Sequence, residues 1–538
     1  MLQKKTASEP GAFAPDIADD LNLKLAAIVG TDKVLTDAAK RTFFSTDISG
    51  TGKIAAAVVE VGTVDELARV AALCSNLGVA MVPRGGGFSY TGGYLPTTEA
   101  SVIIDMRQIN QIAEINEEDL YVRVGVGCTW HDLYNTLKAR GLRTPYFGPM
   151  SGYSATVGGA LSQGSFFLGS TEYGTVMESV LSVEVVLANG DVIHTGSDSA
   201  TGVGPFYRNY GPDLTGLFLA DSGALGLKTF ATLKLIRFPK HQAYGSFTFA
   251  EGPDALAALS EIAREGLAAE AYVWDPYFVK IMSEASAGMR QDLAFLVSVI
   301  RNAAGLWDGL TAAARIAMAG KSVFRQGNHM MQVIIDDHSV AGAAERLKMA
   351  RSIALKHSGR EVAPSVPRAL RGTPFTDFNT PERRTLQRNL PTNSLYPHSR
   401  ALPALKAIRQ LFADEAEAMK AGGVECGTVF FAVGKNAMCI EPLLYWEDPV
   451  HFLHNRVEQS SDLEALAAYD APLPQTTYVH ALRDKLKAVM KANGAVHVQI
   501  GKAYDYLPSR EPRVAQLVRD LKAAVDPDGL INPGSLGL

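Results

Sequence analysis

The chain holds only 4 cysteines and 4 tryptophans among its 538 residues. Cys74, Cys128, Cys426 and Cys439 stand at no metal-ligand spacing, and a chain this long needs no covalent staples. They read as buried small hydrophobes in a reducing compartment. A basic excess is also missing: 51 Lys and Arg against 56 Asp and Glu leave a net charge of -5. Phosphate-backbone binding needs concentrated positive surface, so nucleic acid is not an expected partner. No apolar run is long and unbroken enough to span a membrane. The nearest, Leu293 to Ala319, is cut by Arg301, Asp308 and Arg315. Met1 to Pro10 has no apolar h-region, so no secretory signal is read. His451 and His454 lack a third ligand nearby, and no metal site is expected. What is present is ordinary globular composition, 47% hydrophobic and 20% charged. At several times the common domain size of ~100–150 residues, more than one core is expected. The expectation is a soluble, cytoplasmic, multidomain protein.

Residues 1–50 read as a helical lead-in without strand alternation. From about 55 strands and helices alternate: Ala55 to Val59 is a strand, and Thr63 with Glu66 forms a capping box. Leu67, Val70, Ala71, Cys74 and Leu77 share one helical face, Gly78 ends the helix, and Val79 to Val82 is the next strand. Val102 to Asp105 and Tyr121 to Val126 follow. Val183 to Leu187 and Val192 to His194 read as a hairpin with a two-residue Asn189-Gly190 turn. Ala231 to Ile236 closes this region, and a boundary is placed near 240. Beyond it, Ala-rich helical stretches (254–267, 292–320, 340–356, 403–421) alternate with strands such as Tyr244 to Phe249, Met331 to Ile335 and Val429 to Val433. The Pro- and Gly-rich stretch 359–403 reads as irregular loops. An amphipathic helix with Leu517, Leu521 and Val525 precedes a tail apolar enough to dock.

Three small-residue segments carry the chemistry. Pro83-Arg84-Gly85-Gly86-Gly87-Phe88-Ser89-Tyr90-Thr91-Gly92-Gly93 follows an apolar strand directly. Without side chains, successive backbone N–H groups can converge on one anion, which makes this a diphosphate cradle. No Lys-Ser/Thr follows, and Tyr94-Leu95-Pro96 blocks a helix, so it is neither a Walker A loop nor a helix-opening dinucleotide fingerprint. Gly148 to Ala160 repeats the logic with hydroxyls, and Asp221-Ser222-Gly223-Ala224-Leu225-Gly226-Leu227 leads into a strand. Three such loops feeding neighbouring strands can wrap an extended cofactor with a diphosphate in its middle.

With Ser154 to Gly159, Val183 to Gly190, Leu214 to Phe218 and the closing Asn532-Pro533-Gly534, these segments resemble the vanillyl-alcohol oxidase / p-cresol methylhydroxylase superfamily of FAD-binding oxidoreductases, in the family's order. The resemblance implies an α+β fold. A two-part PCMH-type FAD-binding domain (51–240, with 481–538 returning to it) lies beneath an α/β cap domain (241–480) that carries an antiparallel sheet. It places the diphosphate at Arg84, Gly85, Gly86, Gly87, Phe88, Ser89, Tyr90 and Gly92. The second loop contributes Pro149, Ser151, Ser154, Ala155, Thr156, Gly158, Gly159 and Ser162. Gly223, Leu225, Gly226 and Leu227 fall near the adenine end, and Asn532 closes the site. Relatives that bind flavin covalently carry a histidine where Phe88 stands, or a cysteine where Tyr153 and Ser154 stand, so a dissociable FAD is expected.

The same resemblance implies hydride transfer from a small substrate. The hydroxy-acid branch's metal motif is missing, and Val498 stands where its histidine belongs. Tyr90 and Tyr504 match the phenol branch's tyrosine pair, but Asp505 replaces the arginine that follows the second tyrosine, and Met150 replaces an aspartate. The reading is oxidation of an alcohol or benzylic carbon on an aromatic substrate. Tyr504 orients the substrate, Asp505 or His497 acts as base, and Tyr506, Tyr445 and Trp446 wall the pocket. The alternative is a 2-hydroxy-acid dehydrogenase serving a quinone or cytochrome, with Arg368, Arg371, Arg383 and Arg384 as sources of a carboxylate clamp. Expected partners are a small aromatic molecule, oxygen or a separate electron carrier, and a second copy of the chain in a homodimer. His131 reads as part of a helix start capped by Thr129, and His329 as a satisfied turn residue.

Overall fold

The computed structural model describes residues 15–285, 328–375, 387–447 and 474–538. The Leu293–Ala319 stretch, the expected helix at 292–320, Arg383, Arg384, His451 and His454 all lie outside the described residues. Helix α1 (Pro15–Val29) and strand β1 (Val34–Leu35) precede a small sheet of β2 (Ala57–Glu60), β3 (Ala80–Arg84) and β4 (Ser101–Asp105). The order is β1-β2-β4-β3, with β4 parallel to both of its neighbours. Between β2 and β3 runs helix α2 (Val64–Leu77). Its expected capping box is present: Thr63 Oγ1 accepts from the Glu66 amide at 3.1 Å, and the Glu66 carboxylate accepts from the Thr63 amide. The lead-in is therefore not purely helical, because β1 pairs antiparallel with β2.

A second sheet, fully antiparallel, contains β5 (Ile112–Asn116), β6 (Tyr121–Gly125), β7 (Val180–Val186), β8 (Val192–His194) and β9 (Leu227–Lys234), in the order β8-β7-β9-β6-β5. Strand β7 is buried along its whole length. The β7–β8 connection is one residue longer than a two-residue turn. Leu187 and Asp191 still pair (N–O 2.9 Å), so Ala188, Asn189 and Gly190 form the loop, with Gly190 at φ 90°. Helix α3 (Val157–Gln163) starts from the second small-residue loop.

The cap is one eight-stranded antiparallel sheet. It comprises β10 (His241–Phe249), β11 (Glu270–Trp274), β12 (His329–Asp337), β13 (Arg360–Val362), β14 (Gln387–Pro391), β15 (Ser394–Tyr396), β16 (Glu425–Val433) and β17 (Ala437–Glu447). The order is β13-β10-β12-β11-β16-β17-β14, with β15 also paired to β17. The 359–403 stretch thus holds strands where loops were expected. Pro391 sits at the end of the edge strand β14, where a missing N–H breaks no ladder. Helices α4 (Gly252–Arg264), α5 (Val340–Lys356), α6 (His398–Asp414) and α7 (Pro474–Ala492) cover one sheet face. Leu259, Ile262, Ala350, Leu405, Ile408, Leu486 and Met490 meet Phe247, Val333, Ile335, Phe430 and Ile440 there. Helix α7 packs on the cap, and the chain reaches the small-residue loops after Gly494. Helix α8 (Pro512–Val525) follows, and Leu530 to Asn532 then lie alongside Met81 of β3, with both N···O distances 2.7 Å.

Candidate active site

The three small-residue loops meet. A Cβ on Gly85 would stand 2.4 Å from Thr156 Oγ1, so glycine there lets the first loop lie against the second. Thr156 caps α3 through the Gly159 amide at 3.3 Å. The third loop joins where the Ser222 amide donates to the Ser162 carbonyl at 2.7 Å, and Gly223 packs on Pro83. Among the described residues, the amides of Gly85, Gly86, Gly87 and Ser89 donate to no protein acceptor. A run of unpaired N–H groups at the end of a strand is what an anion requires, so this cradle fits a dinucleotide diphosphate.

Several residues expected to touch the cofactor also shape the cradle, and among the described residues the buried Arg84 Nε and Nη1 have no partner. The Arg84 guanidinium lies 4.5 Å from the ring centroid of Phe44 and 5.1 Å from that of Tyr94, packed behind Gly87. Asn532 is fully engaged by protein: its Nδ2 donates to the carbonyls of Gly93 and Ser222 (both 2.7 Å), and its Oδ1 accepts from Lys502. It clamps the first loop to the third. Leu225 and Leu227 point into hydrophobic clusters, and a Cβ on Gly226 would meet Val185 at 2.4 Å. In the second loop, the Ser151 carbonyl accepts from the Ser154 and Ala155 amides, Pro149 accepts from Gly152, and Gly158 donates to Val126. These amides are already paired within the protein. The residues best able to hold the cofactor's anion are Gly85, Gly86, Gly87 and Ser89.

Two buried ions missed by the sequence reading support the cradle. Asp47, from the lead-in, accepts from the Gly92 amide at 2.9 Å and from the Ser49 amide at 2.7 Å, with burial holding its carboxyl above the ordinary value. Lys502 ties Gly92, Asn532 and Ser535 together, and burial lowers its pKa to about 7.

Beside the cradle lies a cluster of buried aromatic and ionisable side chains, called the chamber below. Tyr504 is buried, and its ring stacks on His497 at a centroid distance of 4.0 Å. Burial lifts its hydroxyl to about 12, against the downward pull of Arg483. Arg483 comes from α7, and its guanidinium stands 5.7 Å from the Tyr504 ring centroid. It is buried, and among the described residues its Nε and Nη2 have no partner. Tyr90 meets the Gln499 side chain, and burial with the nearby Glu441 raises its pKa well above the ordinary value. Glu441, on β17, accepts no hydrogen bond among the described residues, and burial alone raises its pKa to about 7. His497 Nδ1 lies 2.7 Å from the Asn393 carbonyl and so carries the proton, which leaves Nε2 as an acceptor. Burial lowers its pKa, keeping the ring neutral.

Other expected chamber residues lie elsewhere. Asp505 is at the surface, with 74% of its side chain exposed, 4.0 Å from Lys491. The turn that points Tyr504 inward points its neighbour out. Trp446 is a core residue whose Nε1 donates to Thr476 Oγ1, and Tyr506 lies under Arg510. Tyr445 packs on Tyr277. Arg371 is taken up by Asp336 and Glu270 beside Arg143, while Arg368 covers Tyr244. His131 has the expected Thr129–Asp132 cap beside it. His329 opens β12 instead of sitting in a turn, and it stacks on Phe430. Cys439 packs in a small apolar cluster with Phe166, Val433 and Val498.

Residues 55–196 match the family described as FAD binding domain. These residues are similar to an FAD-binding domain. Over 225 residues, 42% of the chain, it is 34% identical to the glycolate oxidase subunit GlcD of Bacillus subtilis. That match spans 46% of the relative, so less than half of its length is aligned. Among solved structures, p-cresol methylhydroxylase with substrate bound superposes with a TM-score of 0.72 at 17% identity, covering 98% of each chain. The 4-ethylphenol oxidase of Gulosibacter chungangensis gives 0.70 at 16%, covering 98% of this chain and 99% of the other. The overall fold is therefore that of these PCMH-type structures, and the matched FAD-binding domain makes FAD the cofactor. Among the described residues, no helix is long and apolar enough to cross a membrane.

Proposed function

We propose that this chain is an FAD-linked oxidoreductase that removes a hydride from a CH–OH or benzylic carbon of an aromatic substrate. Bound FAD supplies the hydride acceptor. The observation that carries the reading is the buried Arg483 guanidinium, with two nitrogens unpartnered among the described residues, beside Tyr504, which itself lies close to Tyr90 and Glu441. A buried cation with free N–H groups is costly unless an anion completes it. A phenolate or other aryl-bound oxygen of the substrate does so, with the flat rings of Tyr504, Tyr90 and His497 as its walls. Glu441 takes the proton released by the substrate hydroxyl, its raised pKa suiting a base at neutral pH. The neutral His497, its tautomer set by Asn393, orients Tyr504.

A second reading, oxidation of a 2-hydroxy acid, is favoured by the GlcD likeness and would use the same Arg483 to hold a carboxylate. Anaerobic mixing of the FAD-loaded protein with 4-alkylphenols, aryl alcohols, glycolate and D-lactate distinguishes the two. Bleaching of the flavin band by the aromatic set is expected. Bleaching by hydroxy acids alone would replace the first reading with the second.

A further inference from the structure

Helix α8 turns its aliphatic stripe outward. It touches the body through Ala515 and Lys522, whose ammonium is caged by the carbonyls of Ala224 (2.6 Å) and Ile531 (2.8 Å) and by the Asp526 carboxylate. Asp526 in turn accepts from the amides of Leu530 and Ile531, so the C-terminal end of the helix is tied to the body. On the far side Val514 is 42%, Leu517 58% and Leu521 36% exposed. At 3.6 residues per turn these three share one narrow face. Arg513 and Asp520 line one edge of it, a heptad apart. Arg513 makes no ion pair among the described residues, and Asp520 accepts only from the Gln516 side chain, at 2.8 Å.

We infer that this stripe is the contact with a second copy of the chain, the two α8 helices packing antiparallel about Leu517. A two-fold axis there sets Leu517 on Leu517 and Val514 on Leu521. It also places each Arg513 against the other copy's Asp520, two ion pairs from one symmetry operation. A parallel pairing would oppose Arg513 to Arg513. This self-complementarity of charge, on a helix held ready, is the argument for a second copy over an unlike partner. One helix pair lies at the small end of stable interfaces, below roughly 1,200 Å² in total, so a dimer of micromolar affinity is expected.

Sedimentation velocity of the full FAD-loaded chain over a concentration series tests this, with flavin absorbance as the control for folding. Dimerisation is expected, and Leu517→Asp should weaken it at least tenfold. Arg513→Asp and Asp520→Arg should each weaken it about fivefold, and the double variant should return to within about twofold of the parent. A monomer at every concentration, a dimer indifferent to Leu517→Asp, or a double variant no better than its parents would overturn the assignment.

Discussion

Cradle and chamber adjoin, yet they are made of different material. In the cradle, the groups left for the ligand are backbone amides on Gly85, Gly86, Gly87 and Ser89, and the side chains around them (Asp47, Lys502, Asn532) are engaged with one another and with carbonyls. In the chamber, the groups left over are side chains: the nitrogens of Arg483, the carboxyl of Glu441 and Nε2 of His497. A backbone cradle tolerates changes of charge nearby but no added volume. A chamber of buried ionisable groups tolerates modest changes of shape but no loss of a charge or proton site.

The largest expected effect falls in the chamber. Glu441→Gln removes the proposed base and should lower kcat/KM by about 10²- to 10⁴-fold at pH 8. Activity of the parent should rise as pH passes through about 7, where Glu441 loses its proton, and the variant should lack that limb. Stability should run the other way. With the folded pKa near 7 against 4.5 in the unfolded chain, folding binds the proton. That contribution is present below pH 4.5 and is lost as pH rises through 7, about 3 kcal/mol at most. Thermal unfolding of parent and variant across this window checks the sign.

Second comes the cradle. Gly85→Val places a branched side chain where even a Cβ meets Thr156 at 2.4 Å. A loss of FAD affinity of about a hundredfold is expected, from overpacking of ~3 kcal/mol. Titration of the apoprotein with FAD measures it, and an affinity within threefold of the parent would refute the steric account.

This contrast also explains what could be read in advance. A site made of backbone needs glycine at fixed places beside a strand, so the three loops were legible in the sequence, while the antiparallel cap came only with the family resemblance. Arg483 sits in an ordinary helix, Glu441 in an ordinary strand and Asp47 in the lead-in, and no local pattern marks any of them. They acquire meaning only from what the fold brings beside them. Arg84 and Asn532 were found in the right loops, but the protein contacts of Asn532 were not, because a loop motif does not say which of its side chains turn inward. The β7–β8 loop was misjudged by one residue, since Asn189-Gly190 is compatible with a two- or a three-residue connection.

Third, Arg483→Met keeps the volume and removes the charge. FAD affinity should stay within twofold while kcat/KM for an aromatic substrate falls about 10- to 150-fold, the size of a lost charged hydrogen bond. Arg483→Lys should recover only part of this, because an ammonium lacks the planar fork. An unchanged kcat/KM would remove the oxyanion anchor from the account and leave the chamber without its defining group.

The smallest effect tests the boundary between inside and outside at a single peptide bond. Tyr504 is 6% exposed as a residue, whereas 74% of the Asp505 side chain is in water. Asp505→Ala should therefore change kcat/KM less than twofold and leave the pH profile in place, since exposed positions away from special contacts contribute within about 0.5 kcal/mol. Tyr504→Phe should cost about tenfold by removing a hydroxyl that lies 3.4 Å from the Asn393 carbonyl and beside Arg483. If Asp505→Ala instead matched Glu441→Gln, the proton acceptor would sit on the turn after Tyr504, and the chamber's chemistry would belong to its rim.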